Sequence, residues 1–270
     1  MKIAFIGGGN MASALIGGII KRGTAPDDLL VIDLNDSTLA RAQADFGVHT
    51  GKTIDATLAG YDAIVLAVKP QVLKDVALTL APHVGHAVVI SVAAGIRATD
   101  LSRWLGGYAR IVRTMPNTPA LIGMGVTGLA AQDGVDAAGR EIAAAVLGAV
   151  GETVWFDDEG KLDAVTAISG SGPAYVFYFI EALQEAARQL GMNDEQGRAL
   201  AVATFTGAAQ LAAQSSEPAS VLRERVTSKG GTTAAALGAF DAAQLKDSIV
   251  RGVLAANARS RELGDEFGRD

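Results

Sequence analysis

The chain has 270 residues, a formal net charge of −6 and no cysteine. The missing cysteine excludes disulfides, thiolate catalysis and cysteine-based metal sites, and the sequence lacks the dense basic stretch that would favour a nucleic-acid partner. Because hydrophobic residues make up 49% of the chain and aromatic residues only 5%, we expect a mainly aliphatic core, of the kind found between helices and parallel strands.

The N-terminal segment 2–20 is apolar and rich in glycine, as a secretory signal peptide also is. It opens with a strand-like run that three consecutive glycines interrupt, and no cleavage motif follows it. No other stretch reaches the ~18 consecutive apolar residues that a membrane-spanning helix needs. We therefore expect a soluble cytoplasmic protein that has no membrane partner.

The first half of the chain alternates strand-like and helix-like patterns. Short apolar runs predict strands at 2–6, 29–33, 63–68, 87–92 and 110–114. Helical spacing follows these runs at 11–22, 37–46, 72–80 and 97–105, and 126–131 and 152–156 predict edge strands around a helix at 135–147. Strands separated by helices predict a doubly wound parallel sheet with both faces covered.

A glycine-rich run follows the first predicted strand and opens the first predicted helix. It reads Gly7-Gly8-Gly9-Asn10-Met11-Ala12 and fits the dinucleotide fingerprint of a Rossmann domain. In that reading Gly7 permits a tight turn, Gly9 lets the backbone approach a pyrophosphate, and the helix N-terminus attracts its charge. The alternative is a glycine-rich turn without a ligand. The predicted cofactor-binding residues here are Ile6, Gly7, Gly8, Gly9, Asn10 and Met11.

Asp33 closes the second predicted strand, about 20 residues beyond the fingerprint, where an acid can bond the adenosine ribose. A carboxylate at this point repels a 2′-phosphate and so favours NADH. Asn35, Ser37 and Thr38 could nevertheless hold a phosphate with help from Arg41 if Asp33 turned away. The alternative for Asp33 is a solvated side chain, so the choice of cofactor stays open.

Further candidate residues lie at the carboxyl ends of the third, fourth and fifth strands, the edge where such sheets bind ligands. Lys69 could reach a cofactor phosphate or ribose, the small residues before Gly95 would let backbone pass close to a nicotinamide, and Asn117 could bond its carboxamide. A structural role for these loops is the competing interpretation. The predicted cofactor residues at this edge are Ala67, Val68, Lys69, Pro70, Ala93, Ala94, Gly95 and Asn117.

After residue 156 the sequence has no strand pattern. It predicts helices at 173–190, 193–214, 219–226, 232–240 and 245–263, with Asn193 and Gln196 forming a capping box. The sequence thus predicts a dinucleotide-binding Rossmann domain at 1–158 and an all-helical domain at 159–270.

Two glycine-rich turns in the helical half, 169–173 and 227–233, precede predicted helices. Their clustered N–H groups and hydroxyls suit a carboxylate ligand, although each could instead be an N-capping turn. His49, His83 and His86 show no metal-ligand spacing, so we expect no metal site.

Taken together, these motifs resemble those of bacterial pyrroline-5-carboxylate reductases. The resemblance extends over essentially the whole chain, and its most specific part is the stretch from Val226 to Asp241. The other segments that carry it, in order, are Phe5-Ile6-Gly7-Gly8-Gly9-Asn10-Met11, Ala67-Val68-Lys69-Pro70-Gln71, Ser91-Val92-Ala93-Ala94-Gly95, Met115-Pro116-Asn117-Thr118-Pro119 and Ser169-Gly170-Ser171-Gly172-Pro173-Ala174-Tyr175.

The resemblance implies the last step of proline biosynthesis, in which NADPH or NADH reduces the cyclic imine of 1-pyrroline-5-carboxylate to L-proline. It also implies a homodimer interlocked through the helical domain, with an assembly of five dimers into a decamer as an open possibility. The substrate loop would come from the partner subunit. The implied substrate residues are Ser171, Ser228, Gly230, Gly231, Thr232 and Thr233, with Thr233 as the catalytic residue beside the ring nitrogen.

One departure from the family bears on the cofactor. Members often carry an asparagine near the adenosine ribose, and the corresponding segment 52–55, Lys-Thr-Ile-Asp, has none. With Asp33, this leaves NADPH and NADH open, although the family mostly favours NADPH.

Two alternative functions remain. A β-hydroxyacid dehydrogenase needs a general base, typically a lysine on the first interdomain helix, and 173–190 contains no lysine. A non-catalytic, cofactor-binding regulatory protein would bind the dinucleotide without substrate-dependent oxidation.

Overall fold

The computed structural model describes residues 1–269. The chain forms two compact units. We call Met1–Ser171, with the segment that begins at Ala256, the sheet unit, and Gly172–Ala255 the helical unit. The domain limits of 1–158 and 159–270 stay a prediction. Within the described residues no helix combines the length and apolar character needed to cross a bilayer.

An eight-stranded sheet forms the centre of the sheet unit, in the order β3-β2-β1-β4-β5-β6-β7-β8. Neighbouring strands are parallel except for β6 and β7, which are antiparallel. The strands are β1 Ile3–Ile6, β2 Leu29–Ile32, β3 His49–Gly51, β4 Ala63–Leu66, β5 Val88–Ser91, β6 Ile111–Met115, β7 Gly125–Ala131 and β8 Gly151–Trp155. This order, with the helices described below, confirms the predicted Rossmann-like class.

The sequence predicted seven of these strands and missed β3. That strand has only three residues, His49-Thr50-Gly51, and so shows neither an apolar run nor alternation. Of the two strands predicted at an edge, β8 is the edge strand and β7 lies between β6 and β8.

The helices follow the predicted pattern closely. They are α1 Asn10–Lys21, α2 Asp36–Phe46, α3 Pro70–Leu80, α4 Ala98–Trp104, α5 Ala137–Gly148, α6 Lys161–Val165, α7 Gly172–Gln189, α8 Asp194–Gln214, α9 Ala219–Arg225, α10 Thr232–Ala242 and α11 Leu245–Phe267. The predicted capping box at α8 is present, since the Asn193 amide oxygen accepts from the Gln196 N–H at 2.9 Å and Gln196 accepts in return. Helix α6 was not predicted, nor was the π-helix Thr166–Gly170 that follows it.

Two hydrophobic clusters cover the two faces of the sheet. Alternate residues of a strand point to opposite faces, so Ile3 and Phe5 of β1 belong to one cluster while Ala4 and Ile6 belong to the other. All four are almost fully buried. A sheet buried on both faces explains why these strands read as continuous apolar runs.

The last turns of α11 belong to the sheet unit. The Ser260 hydroxyl donates to the Asp163 carboxylate at 2.8 Å, and Arg97 forms an ion pair with Asp265. Phe267 packs on the turn at Gly95, where an added Cβ would lie 3.2 Å from the Phe267 ring. These contacts cover the loop that follows β5.

The helical unit buries very little of its own surface. Ala187, Gly197 and Ala201 are its only buried residues, and they lie where α7 packs on α8. Large apolar side chains stay exposed, including Phe177 at 60% and Leu211 at 69%. Exposed apolar surface on this scale is typical of a protein–protein interface.

Candidate active site

The turn after β1 has a backbone that only glycine can adopt. Gly7 has a φ of 98°, in a region that other residues avoid. A Cβ at this position would also lie 2.7 Å from the Ala67 carbonyl oxygen. The Gly7 N–H donates to the Ile32 carbonyl at 2.8 Å, so the turn is fixed between β2 and β4.

Gly9 begins α1 under a different constraint. It is the N-cap, has extended backbone angles and has no side chain that could cap the helix. A Cβ here would meet nothing within 4 Å, so the protein itself does not require glycine. The first N–H groups of α1 have no partner inside the helix and can receive an anion. This open N-terminus fits the pyrophosphate of a dinucleotide.

Asp33 braces the fingerprint turn. One carboxylate oxygen accepts from the Gly8 N–H at 2.8 Å and the other from the Asn35 N–H at 2.9 Å. The Arg41 guanidinium lies 3.5 Å from the Gly8 carbonyl oxygen. Asn35 caps α2 by accepting from the Ser37 N–H at 2.9 Å. Both oxygens of Asp33 are therefore already engaged with backbone N–H groups.

The segment that lacks the family asparagine lies in the loop after β3. The Lys52 ammonium is 2.6 Å from the Asp36 carboxylate at the start of α2. Asp55 accepts from both the hydroxyl and the N–H of Thr57, and these bonds lower the pKa of the Asp55 carboxyl. Lys52 thus places a second cation beside the turn that follows β2.

The remaining predicted cofactor residues lie at the carboxyl ends of β4 and β5. The Ala67 N–H donates to the Ile6 carbonyl at 2.8 Å, which joins the loop after β4 to β1. Lys69 is exposed at the N-cap of α3, and Pro70 is the first residue of that helix. The Ala93-Ala94-Gly95 turn follows β5, with Gly95 at a φ of 75°.

Asn117 follows β6 and is buried, with 8% of its surface exposed. Its amide nitrogen donates to the Ser169 carbonyl at 3.1 Å, and its amide oxygen accepts from the Val126 N–H at 2.9 Å. The Ser169-Gly170-Ser171 turn therefore lies at the carboxyl edge of the same sheet. Ser171 and all the predicted cofactor residues belong to the sheet unit.

The second glycine-rich turn belongs to the helical unit. Gly230 has a φ of 73°, and the Gly231 N–H donates to the Ser228 carbonyl at 3.0 Å. Gly231 is the N-cap of α10, and no side chain caps that helix. Within residues 1–269 the hydroxyls of Thr232 and Thr233 make no hydrogen bond. The Thr227 hydroxyl donates to the Arg223 carbonyl at 2.6 Å, whereas those of Thr232 and Thr233 are not used for capping and are free for a ligand.

One supporting cluster was not predicted. Arg113 of β6 is 4% exposed and pairs with Glu159 at 2.9 Å and Asp163 at 3.6 Å. Glu159 also accepts from the Ala98 N–H at 2.6 Å. The signal in the sequence is a single arginine inside an apolar strand, since a buried charge needs partners. The cluster joins α6 and the start of α4 to β6.

Comparison with known proteins decides the family. Residues 159–263 match the family model described as pyrroline-5-carboxylate reductase dimerisation, and residues 2–95 match that of NADP oxidoreductase, coenzyme F420-dependent. A pyrroline-5-carboxylate reductase of Pseudomonas aeruginosa is 41% identical over 269 residues, covering 99% of this chain and 98% of its own. The chain belongs to the pyrroline-5-carboxylate reductase family. This membership confirms the predicted resemblance and the predicted class of NAD(P)H-dependent oxidoreductase.

Solved structures of the pyrroline-5-carboxylate reductase family share this fold along the whole chain. The enzyme of Coxiella burnetii superposes with a TM-score of 0.92 at 38% identity and covers 97% of this chain and 98% of its own. The Plasmodium falciparum enzyme, solved with NADP bound, gives a TM-score of 0.86 at 28% identity, with 98% of each chain covered. The family assignment favours the reductase over the β-hydroxyacid dehydrogenase.

Proposed function

We propose that this chain reduces the C=N bond of 1-pyrroline-5-carboxylate to give L-proline. The observation that carries the proposal is the turn before α10, where the hydroxyls of Thr232 and Thr233 are left unused by the helix that they begin. In a pyrroline-5-carboxylate reductase, such a turn suits a small cyclic substrate that has a carboxylate and a ring nitrogen. The N–H groups around Gly230–Thr232 would bind the carboxylate.

The reaction requires little covalent catalysis by the protein. A protonated imine is already electrophilic, so its carbon accepts a hydride while the nitrogen keeps its proton and becomes the amine of proline. NAD(P)H supplies that hydride when bound. The protein must position the reactants and stabilise charge. Thr233 would bond the ring nitrogen and relay to it the proton that it carries before the hydride transfer. No other side chain has a proposed catalytic role.

The fingerprint turn and the sheet edge would hold the cofactor. The open N-terminus of α1 suits the pyrophosphate, and the turn after β5 would lie along the nicotinamide. The proposed cofactor set keeps the predicted residues of the sheet unit other than Asn117, namely Ile6, Gly7, Gly8, Gly9, Asn10, Met11, Asp33, Asn35, Ala67, Val68, Lys69, Pro70, Ala93, Ala94 and Gly95.

We propose NADPH as the preferred cofactor. An acid after β2 usually selects NADH because it bonds the ribose hydroxyls, but the N–H groups of Gly8 and Asn35 hold the Asp33 carboxylate against the backbone and take one acceptor site on each oxygen. Two cations, Arg41 and Lys52, flank the same turn. A 2′-phosphate beside them would gain charge-assisted hydrogen bonds.

The first experiment measures the decrease in absorbance at 340 nm with the purified protein and 1-pyrroline-5-carboxylate, in parallel with NADPH and NADH. Rapid, substrate-dependent oxidation of either cofactor is the expected result. Binding of both cofactors without oxidation would instead favour the non-catalytic regulatory protein.

The cofactor preference is tested with Arg41→Ala. The ratio of kcat/KM for NADPH to that for NADH should fall roughly tenfold, the effect of one charge-assisted hydrogen bond. Lys21→Ala, which removes an exposed charge at the other end of α1, is the matched control and should leave the ratio unchanged. An equal loss with both cofactors in Arg41→Ala would contradict the proposed phosphate contact.

We also propose a homodimer formed through the helical unit. The match to the dimerisation model covers this unit, and its exposed apolar side chains need a partner. Assembly of dimers into a decamer is a further proposal, to be tested by light scattering of the purified protein.

A further inference from the structure

The side chain of Asn117 joins three segments that are distant in sequence. It lies just after β6, accepts from the N–H of Val126 in β7 and donates to the carbonyl of Ser169, 52 residues away. One partner is a donor and the other an acceptor, so the orientation of the amide is determined by its neighbours. At 8% exposure, loss of either bond would leave a buried polar group unsatisfied.

The partner segment is the π-helix Thr166–Gly170, a rare conformation that occurs mainly at functional sites. The Ser171 N–H closes it by donating to the Thr166 carbonyl at 2.8 Å. Gly170 packs so closely on Met115 that an added Cβ would lie 2.6 Å from its methyl carbon. Backbone packing and the Asn117 bond therefore both fix this turn against the end of β6.

The two serines of the turn differ in what their hydroxyls do. The Ser169 hydroxyl donates to the Val165 carbonyl at 3.0 Å. The Ser171 hydroxyl, which is half-buried, has no partner within the described part of the chain. The turn thus presents one unused hydroxyl at the carboxyl edge of the sheet, at a position that Asn117 helps to set.

We infer that Asn117 is a positioning residue for the reduction, holding the Ser169–Ser171 turn so that the Ser171 hydroxyl meets the substrate. This rests on the proposed reductase function. It differs from the role predicted from sequence, a bond from Asn117 to the nicotinamide carboxamide. The two roles can be distinguished by experiment, because a positioning residue acts through Ser171 and a ligand of the carboxamide does not.

A double-mutant cycle tests the inference. Asn117→Ala, Ser171→Ala and the double variant are compared with wild type for kcat, for KM for 1-pyrroline-5-carboxylate and for Kd for NADPH. Each single change should raise the KM roughly tenfold, as expected for one lost hydrogen bond. The KM of the double variant should be no higher than that of the single variant with the higher KM, since coupled residues give non-additive effects. The Kd for NADPH should stay within about twofold of wild type, because the cofactor contacts are retained.

Two further variants keep the result interpretable. Asn117→Asp retains an acceptor for the Val126 N–H and turns the donor to Ser169 into a charged acceptor, so it breaks the same bond without a cavity and replaces the alanine variant if that one does not fold. Thr118→Ala changes the exposed neighbour of Asn117 and should behave as wild type.

Additive losses in the cycle, together with weaker NADPH binding, would overturn the inference and favour a direct carboxamide contact. Absence of turnover by wild type in the same assay would overturn the proposed function, and the inference with it.

Discussion

The sheet unit and the helical unit bury their apolar residues in opposite ways. In the sheet unit, side chains such as Phe5 and Leu15 are fully buried between the sheet and its helices. In the helical unit only Ala187, Gly197 and Ala201 are buried, and Leu211 is 69% exposed. The sheet unit therefore has its own core, whereas the helical unit leaves its large apolar side chains exposed.

The glycine-rich turns of the two units also differ in how they are held in place. The fingerprint turn is braced from the side by Asp33, and the Ser169–Ser171 turn by Asn117. The turn before α10 is held by bonds between residues close in sequence, from the Gly231 N–H to the Ser228 carbonyl and from the Thr227 hydroxyl to the Arg223 carbonyl. Residues distant in sequence therefore brace the two turns of the sheet unit, whereas the turn before α10 is held by its sequence neighbours.

The largest effect is expected from Thr233→Ala, which separates the two halves of the site. If Thr233 relays the proton of the ring nitrogen, kcat should fall about a thousandfold, the usual range for general acid–base catalysis. The Kd for NADPH should be unchanged. Stopped-flow measurements at 340 nm and fluorescence titration with NADPH measure the two quantities.

Thr204→Ala, an exposed threonine on α8, is the matched control. Full turnover in Thr233→Ala would remove Thr233 from the mechanism.

A pair of leucines tests the contrast in burial directly. Leu15→Ala removes a fully buried side chain of α1 and should lower the free energy of unfolding by about 3 kcal/mol. Leu211→Ala removes a largely exposed one and should change the stability of the monomer by less than about 0.5 kcal/mol. Urea unfolding at several protein concentrations distinguishes monomer stability from dimer stability.

The dimer of Leu211→Ala should dissociate at higher protein concentrations than the wild-type dimer, because this residue is expected at the dimer interface. Equal losses of unfolding free energy in both variants, independent of protein concentration, would contradict the difference in burial between the two units.

Mixed dimers test whether the partner supplies the substrate turn. Thr233→Ala and the bulky Gly9→Leu should each be inactive, one in the substrate turn and the other in the cofactor turn. Coexpressed with different affinity tags, they should regain about a quarter of wild-type activity, because half of randomly assorted dimers have one intact site. If the two turns of one site came from the same chain, the mixture would stay inactive.

The smallest effect concerns two glycines of the fingerprint. Gly7→Ala should lower thermal stability, since its φ of 98° and the nearby Ala67 carbonyl leave no room for a methyl group. Gly9→Ala should fold normally, because its Cβ meets nothing within 4 Å, yet raise the Kd for NADPH roughly tenfold by blocking the pyrophosphate. Calorimetry gives both readouts, and unchanged affinity in Gly9→Ala would argue against a ligand at this turn.

What could be predicted from the sequence was local. The fingerprint after β1 and the capping box of Asn193 and Gln196 depend on residues a few positions apart, and both were recognised. The three-residue strand β3 has no pattern to detect. The π-helix Thr166–Gly170 depends on packing against Met115 that no spacing records.

For the site, too, the sequence did not predict contacts between residues that lie far apart along the chain. Asp33 was placed correctly at the end of β2, but its engagement by the Gly8 N–H, 25 residues away, changes what it implies about the cofactor. Asn117 was singled out from its motif, whereas its partners in β7 and in the π-helix become visible only once the sheet is assembled.

Helix α11 has a consequence for the order of synthesis. It runs without a break from Leu245 to Phe267, and its turns from Ala256 onward belong to the sheet unit. The ribosome releases these turns only after all eight strands and the whole helical unit have emerged. Until then the nascent chain carries an uncovered turn at Gly95 and an Asp163 without its serine partner. The first unit to be translated is therefore the last to be completed.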